Sequence, residues 1–220
     1  MSALTANLFD SLPALDRRDE RLCEGAVVLR GFALAAESGI MEGLRAVMLD
    51  SSFRCMITPA GKRMSVPMTN CGALGWVSDR RGYRYASIDP LNGNPWPEMP
   101  EAFARLACSA TAQAGFAGYI PDACLINRYQ PGSRLSLHQD KNERDFGQPI
   151  VSVSLGVPAV FLFGGLRRAD RPERIPLAHG DVVVWGGPAR MRYHGIAPIK
   201  HAHHEAFGDQ RINLTLRKAG

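Results

Sequence analysis

The C-terminal part of the chain contains polar residues of the types that bind a ferrous ion. His138 and Asp140 are separated by one residue, and His194 follows far along the chain. Two histidines and a carboxylate on one face of an iron leave three coordination positions open, the arrangement used by oxygen-activating non-haem enzymes. We therefore predict that these three residues ligate Fe(II) and form the catalytic centre.

Two arginines further along the chain suggest a second reactant. Arg211 and Arg217 lie in a segment of alternating polar and apolar residues, Arg211–Arg217. A guanidinium forms paired hydrogen bonds with a carboxylate, and a metal centre alone has no need of such groups. The arginines therefore suggest 2-oxoglutarate as co-substrate beside dioxygen.

Strand geometry groups these residues with other polar side chains. Successive side chains of a strand point to opposite faces, so residues two apart share a face. His138 and Asp140 would then point the same way. The same rule places Asn127 with Tyr129 on one strand, and Arg211 with Asn213, Thr215 and Arg217 on another. Such polar faces must be exposed to solvent or line a pocket.

Two helices and many short strands are expected around these residues. Apolar spacings of three and four residues predict helices over Ala35–Leu49 and Pro100–Ala114. From Leu125 onward, short alternating runs separated by Gly, Pro and Asp are typical of a β-sandwich or jelly roll. The predicted strands are Leu125–Tyr129, Leu135–Asp140, Ile150–Leu155, Val160–Phe163, Asp181–Trp185, Met191–His194 and Ile212–Arg217. Residues Pro59–Trp96 read as hairpins and loops over the core, a candidate substrate lid.

Composition limits the remaining possibilities. With 220 residues and 45% hydrophobic residues, the chain suits one compact unit, and no apolar run is long enough to span a bilayer. Five scattered cysteines without a C-x-x-C pair argue against a disulfide framework or a thiolate zinc site. Because Met1–Arg18 lacks the pattern of an export signal, we expect a cytoplasmic protein with no membrane partner. The net charge of +5 is compatible with a polyanionic partner.

Two weaker motifs are open to ordinary explanations. The tract His201–Glu205 has metal-binding residue types but is expected to be a solvated polar loop. The basic run Arg167–Arg171 is either a solvated hairpin or a phosphate contact.

The sequence also resembles a known family over nearly everything after about residue 20. It is similar to the bacterial AlkB family, whose members are iron- and 2-oxoglutarate-dependent dioxygenases that repair alkylation damage. The stretches that carry the resemblance are Met64–Gly72, Pro121–Tyr129, Leu135–Lys141, Pro149–Gly156 and Gly180–Gly187.

The resemblance implies a fold and a domain organisation. The expected fold is mainly β with flanking helices (α+β), with a double-stranded β-helix, or jelly-roll, core. Residues 1–120 would supply helices and a nucleotide-recognition lid, residues 121–220 the catalytic core, and both would belong to one compact unit.

The resemblance also implies roles for individual residues. His138, Asp140 and His194 would ligate Fe(II). The residues implied to hold 2-oxoglutarate are Asn127, Tyr129, Arg211, Asn213 and Arg217. Arg211 would pair with the distal carboxylate, and Arg217 would lie nearer the metal-chelating end. The residues implied to contact substrate are Trp76, Tyr83, Tyr85, Asn142 and Arg168.

The implied activity is oxidative demethylation of N-alkylated bases such as 1-methyladenine and 3-methylcytosine, preferentially in single-stranded DNA. Fe(II), O2 and 2-oxoglutarate would be used, and succinate, CO2 and formaldehyde released. We expect a monomer that binds a single strand or a flipped base, because a methyl group on the pairing edge is inaccessible in a duplex. RNA or tRNA is the nearest alternative substrate.

The sequence departs from the family at Asn142, where bacterial AlkB has an aspartate facing the base. Asparagine keeps a carbonyl acceptor but loses the charge, and charge-assisted hydrogen bonds are roughly twice as strong as neutral ones. We hypothesise that Asn142 weakens discrimination for cationic over neutral lesions, unless Glu143 or Asp145 compensates.

The residues alone leave two other functional hypotheses open. Three ligands plus water also describe a zinc hydrolase, although that reading leaves the arginine pair unused. A non-enzymatic nucleic-acid sensor would keep the pocket without turnover.

Overall fold

The computed structural model describes residues 19–220. The segment Met1–Arg18, on which the export-signal prediction rests, lies outside these residues. Neither helix in the described part is long and apolar enough to cross a bilayer.

Two antiparallel sheets form the body of the molecule. The larger has seven strands in the order β1-β2-β11-β8-β13-β6-β3, and the smaller has four in the order β10-β9-β12-β7. The strands of the large sheet are β1 Glu20–Cys23, β2 Ala26–Leu29, β3 Met68–Gly72, β6 Ala123–Tyr129, β8 Ile150–Gly156, β11 Val182–Trp185 and β13 Arg211–Arg217. Those of the small sheet are β7 Leu135–His138, β9 Ala159–Phe163, β10 Glu173–Leu177 and β12 His194–Ile196. The predicted jelly-roll fold class is confirmed.

Apolar side chains fill the space on both sides of the large sheet. On one side, helices α1 (Glu37–Asp50) and α2 (Glu101–Gln113) pack on residues such as Val153 and Leu214. On the other side, Val183 and Trp185 pack against Phe161 and Phe163 of the small sheet. The order of layers is therefore helices, large sheet, small sheet.

A separate hairpin of β4 (Gly75–Asp79) and β5 (Gly82–Ala86) lies in the predicted lid region. Trp96 supports its base, since its indole Nε1 donates to the Ala86 carbonyl oxygen at 2.8 Å. A Cβ on Gly75 would lie only 2.3 Å from this indole. The hairpin can therefore close against Trp96 only with glycine at this position.

Most predicted elements lie within two residues of those observed, with two corrections. The strand predicted over Met191–His194 is wrong, because Arg192 N–H bonds Ala189 O in a turn and β12 begins at His194. The strand predicted to reach Asp140 ends at His138, so Asp140 lies in the loop that follows. The first strands and β10 were not predicted from the sequence. Strands β1, β2 and β3 precede residue 121 and nevertheless belong to the large sheet.

Leu214, on β13, has no exposed surface, whereas Leu49 at the end of α1 is 86% exposed. Leu214→Ala should lower the free energy of unfolding by about 3 kcal/mol, because it leaves a cavity between sheet and helices. Leu49→Ala should change it by less than about 0.5 kcal/mol. Urea titration of both variants measures this difference, and equal losses would contradict the assigned core.

Candidate metal centre and co-substrate site

The two predicted histidine ligands are brought together by strand pairing. His138 ends β7, His194 begins β12, and the two residues are direct partners in the antiparallel register. Their ring centroids are 4.4 Å apart. Asp140 places one carboxylate oxygen 3.6 Å from His138 Nε2 and the other 3.7 Å from His194 Nε2.

The three side chains have the spacing of a metal site. One candidate ligand atom from each lies within 4.8 Å of the other two. Within residues 19–220, no other group of three His, Cys, Asp or Glu side chains meets this condition. The tract His201–Glu205 therefore supplies no such group, and His203 instead pairs with Asp209 at 2.6 Å.

Backbone carbonyls orient both imidazoles for metal binding. His138 Nδ1 lies 2.9 Å from Ser136 O, and His194 Nδ1 lies 3.1 Å from Arg192 O. Because a carbonyl oxygen can only accept, each Nδ1 must carry the proton. The lone pair is then on Nε2, which faces Asp140, an arrangement typical of metal-binding histidines.

Protonation states also suit a cation. Burial, followed by the neighbouring His194, lowers the pKa of His138 to about 4, so its imidazole is neutral at pH 7. Burial alone would raise the pKa of Asp140, but Arg217 and the two histidines hold it well below its usual range. The site therefore combines the neutral imidazole of His138 with the ionised carboxylate of Asp140.

Arg217 ties Asp140 to the large sheet. Its Nη2 and Nε donate to Asp140 Oδ2 at 2.6 and 3.0 Å. Both side chains are nearly buried, with 7% and 11% of their surface exposed. Arg217 therefore contacts one of the three predicted metal ligands directly.

Arg211 has unused hydrogen-bonding groups. It is completely buried, and Nη2 donates to Ser154 Oγ at 2.8 Å. Its Nε and Nη1 have no partner among the described residues. Buried N–H groups without an acceptor are costly, and a carboxylate could accept from both nitrogens. The donor set therefore fits a dicarboxylate such as 2-oxoglutarate.

The other predicted co-substrate residues lie around Arg211. Tyr129 pairs with Arg211 across β6 and β13, and Asn127 pairs with Asn213. The Asn213 amide donates to Ser152 Oγ and Val153 O, both at 2.9 Å. Both amide hydrogens are thus used within the sheet, and the Asn213 oxygen already accepts from Thr215 Oγ1 at 3.0 Å, which leaves at most one lone pair of that oxygen for a ligand.

The predicted substrate residues lie mainly on the β4–β5 hairpin. The rings of Trp76 and Tyr83 stack with centroids 5.5 Å apart. Trp76 Nε1 donates to Asn142 Oδ1 at 3.2 Å, and Tyr85 Oη donates to Glu143 Oε1 at 2.6 Å. Two residues of the loop after Asp140 thus fix the aromatic hairpin beside the metal triad.

A cleft of about 260 Å³ opens at this junction. It brings together three of the predicted substrate residues: Tyr83, Tyr85 and Asn142. Arg168 does not line this cleft. It lies in an exposed loop, with its guanidinium carbon 6.0 Å from the ring of Tyr193, next to His194. A further cleft, about 500 Å³ in volume, contains none of the predicted site residues.

Three residues support the site in ways that were not predicted from the sequence. Asn70, completely buried, holds the backbone of Trp76 through two 3.0 Å hydrogen bonds. Glu143 and Arg190 form a buried ion pair of 2.9 Å behind Asp140. Only the three-dimensional contacts reveal these roles, although Asn70 lies within the stretch Met64–Gly72 that carries the resemblance.

Comparison with known proteins supports the same reading. Residues 25–217 match the family model of the 2OG-Fe(II) oxygenase superfamily. The chain is 58% identical to the alpha-ketoglutarate-dependent dioxygenase AlkB of Salmonella typhimurium, over 91% of this chain and 93% of the relative. It is 33% identical to the DNA N(6)-methyladenine demethylase ALKBH1C of Arabidopsis thaliana, over 66% of this chain and 38% of that protein.

A solved structure is similar over nearly the whole chain. The structure of OsALKBH1 matches with a TM-score of 0.75 and 27% identity, covering 91% of this chain and 100% of that one. The family confirms the predicted enzyme class and the cofactors Fe(II), 2-oxoglutarate and O2. The alternative hypotheses of a zinc hydrolase and of a non-enzymatic sensor are therefore rejected. The chain belongs to the AlkB-type dioxygenases of the 2OG-Fe(II) oxygenase superfamily.

Proposed function

We propose that this dioxygenase removes N-methyl groups from bases of DNA, with 1-methyladenine and 3-methylcytosine in single strands as its substrates. The observation that carries the proposal is the attachment of an aromatic hairpin to the loop that follows Asp140. Trp76 and Tyr85 are hydrogen-bonded to adjacent residues of that loop, Asn142 and Glu143. A base held by this hairpin would lie close to the metal triad.

Within this proposal, each part of the site has a role in binding. His138, Asp140 and His194 hold Fe(II), and Arg211 holds the distal carboxylate of 2-oxoglutarate, with Asn127, Tyr129 and Asn213 around it. Arg217 lies near the chelating end. The bound iron and co-substrates supply the oxidation of an N-methyl to an N-hydroxymethyl group, which leaves as formaldehyde, with succinate and CO2 as co-products.

The hairpin would select a base that has left the duplex. Stacking on an aromatic side chain contributes about 1–3 kcal/mol per base in single-strand binders. Methylation on the pairing edge weakens pairing and makes the base cationic, which favours both extrusion and contact with an electron-rich ring. Recognition can therefore begin before any chemistry.

Exposed cations lie at the hairpin tip, next to Asp140 and near Tyr193. Arg80 and Arg81 lie at the hairpin tip, and Lys141 directly follows Asp140. Arg168 is exposed near Tyr193. Such cations suit phosphate oxygens without reading sequence. The similarity to a DNA N(6)-methyladenine demethylase of Arabidopsis thaliana supports DNA. RNA is kept as the second substrate because the same contacts suit either backbone.

The proposed setting is a monomer in the cytoplasm. All five cysteines are free. Free thiols fit a reducing compartment.

His138→Ala and Asp140→Ala should abolish turnover and also metal binding. In the unmodified protein, a divalent cation at 100 times its dissociation constant should stabilise the fold by about 2.7 kcal/mol. Thermal unfolding with and without Mn(II) measures this gain. The control His203→Ala should keep the full gain, and a variant of either ligand that keeps near-normal activity in metal-defined buffer would contradict the ligand assignment.

Arg211→Lys should raise the KM for 2-oxoglutarate by at least about tenfold, because one ammonium cannot replace the paired guanidinium contacts. The value of kcat should fall less than kcat/KM. Succinate formation at varied 2-oxoglutarate concentrations measures both constants. Arg174→Lys, on an exposed strand, is the matched control, and an unchanged KM in the Arg211 variant would remove that residue from the co-substrate site.

Mass spectrometry of single-stranded oligonucleotides carrying 1-methyladenine or 3-methylcytosine tests the proposed function. The methyl group should be lost only when Fe(II), O2 and 2-oxoglutarate are all present, with succinate formed. Succinate without demethylation would keep the dioxygenase and reject these substrates. Matched RNA oligonucleotides in the same assay decide between DNA and RNA.

Asn142→Asp should shift preference towards the cationic lesion. Of the neighbouring acids, Glu143 is already paired with Arg190, whereas Asp145 is exposed and accepts from Gly147 N–H. The ratio of kcat/KM for 3-methylcytosine over neutral ethenoadenine should rise about fivefold, from a gain of about 1 kcal/mol. Asn92→Asp, in a distant loop, should leave the ratio unchanged, and an unchanged ratio in both variants would refute the hypothesis.

A further inference from the structure

Glu143 is a buried carboxylate with three partners from three different parts of the chain. Only 2% of its side-chain surface is exposed. Tyr85 Oη of the hairpin donates to Oε1 at 2.6 Å, Arg190 Nη2 lies 2.9 Å from Oε2, and Arg217 Nε lies 3.4 Å from Oε1. Burial this complete, in a loop without regular structure, requires that each partner compensates the lost hydration.

Both arginines that contact Glu143 also hold Asp140. Arg190 Nη1 donates to the backbone oxygen of Asp140 at 2.7 Å. Arg217 donates to the Asp140 carboxylate from Nη2 and Nε. Glu143 is thus linked to the predicted metal ligand Asp140 indirectly, through the guanidinium groups of Arg190 and Arg217.

The four charged groups balance one another. Glu143 and Asp140 supply two negative charges, and Arg190 and Arg217 supply two positive charges, with no side chain more than 11% exposed. Neutralising Glu143 would leave an uncompensated positive charge beside Asp140. A positive charge at this place repels a divalent cation, and Arg217, freed from Glu143, would pair with Asp140 alone.

We propose that Glu143 is a positioning residue of the metal centre. By sharing Arg217 with Asp140 and holding Arg190 on the Asp140 backbone, it keeps the Asp140 carboxylate oriented towards the two imidazoles and available to a cation. Tyr85 adds a hydrogen bond to Glu143 without changing its charge. The inference rests on the dioxygenase metal centre and does not depend on which base is the substrate.

The decisive experiment compares Mn(II) affinity, measured by electron paramagnetic resonance of the free ion, with thermal unfolding of the metal-free protein. Glu143→Gln keeps the shape of the side chain and removes its charge. Its Mn(II) affinity should fall by about tenfold or more, the range found for groups that support metal ligands. Tyr85→Phe removes only the hydroxyl and should stay within about twofold of the unmodified protein, since the charges remain.

Asp89→Asn is the matched control for a purely structural role. Asp89 is a buried carboxylate that pairs with the partly exposed Arg54 at 2.5 Å and bonds none of the metal residues. Both variants should lower the unfolding temperature, but only Glu143→Gln should weaken Mn(II) binding. Glu143→Gln with a lowered unfolding temperature and unchanged Mn(II) affinity would overturn the proposal.

If Glu143→Gln does not fold, Glu143→Asp is the second variant that tests the proposal. It keeps the charge, but its side chain is shorter by one methylene and cannot reach both arginines as Glu143 does. Mn(II) affinity should fall by about threefold or more, less than the loss expected from removing the charge. An unchanged affinity in a folded Glu143→Asp variant would likewise overturn the proposal.

Discussion

The ion pair between Asp140 and Arg217 is the contact on which the site depends. Asp140 follows the edge strand β7 of the small sheet, and Arg217 ends β13 within the large sheet. Their contact therefore joins the two sheets at the point where metal ligands and co-substrate residues meet. Because both groups are nearly buried, removal of either one would leave a charge with a high desolvation cost.

Strand β13 shows how one sequence segment both folds the protein and forms its site. Ile212, Leu214 and Leu216 pack towards the helices. Arg211 and Arg217 lie on the opposite face, where each meets polar groups: Ser154 for Arg211 and Asp140 for Arg217. The alternation that buries one face in the core places the cations of the other face beside the metal triad.

The sequence predicted the parts that follow from local periodicity and missed those that depend on distant contacts. The period of two in Arg211–Arg217 and the short spacing of His138 and Asp140 are local signals, and the structure places these residues together. The boundary of β12 was predicted wrongly because a turn ending at Arg192 precedes it. Glu143 was considered only as a substitute for the missing aspartate charge, since its arginine partners lie 47 and 74 residues away. Local periodicity in a sequence cannot predict contacts between residues so far apart.

A crystal structure of the protein with Mn(II), 2-oxoglutarate and a single-stranded oligonucleotide carrying 3-methylcytosine, grown without oxygen, tests the central claim most directly. The account predicts the cation on His138, Asp140 and His194, the distal carboxylate on Arg211, and the methyl carbon facing the open side of the cation. The base should contact the Trp76–Tyr83 hairpin. A cation or co-substrate bound elsewhere, or a base held away from both hairpin and triad, would contradict it.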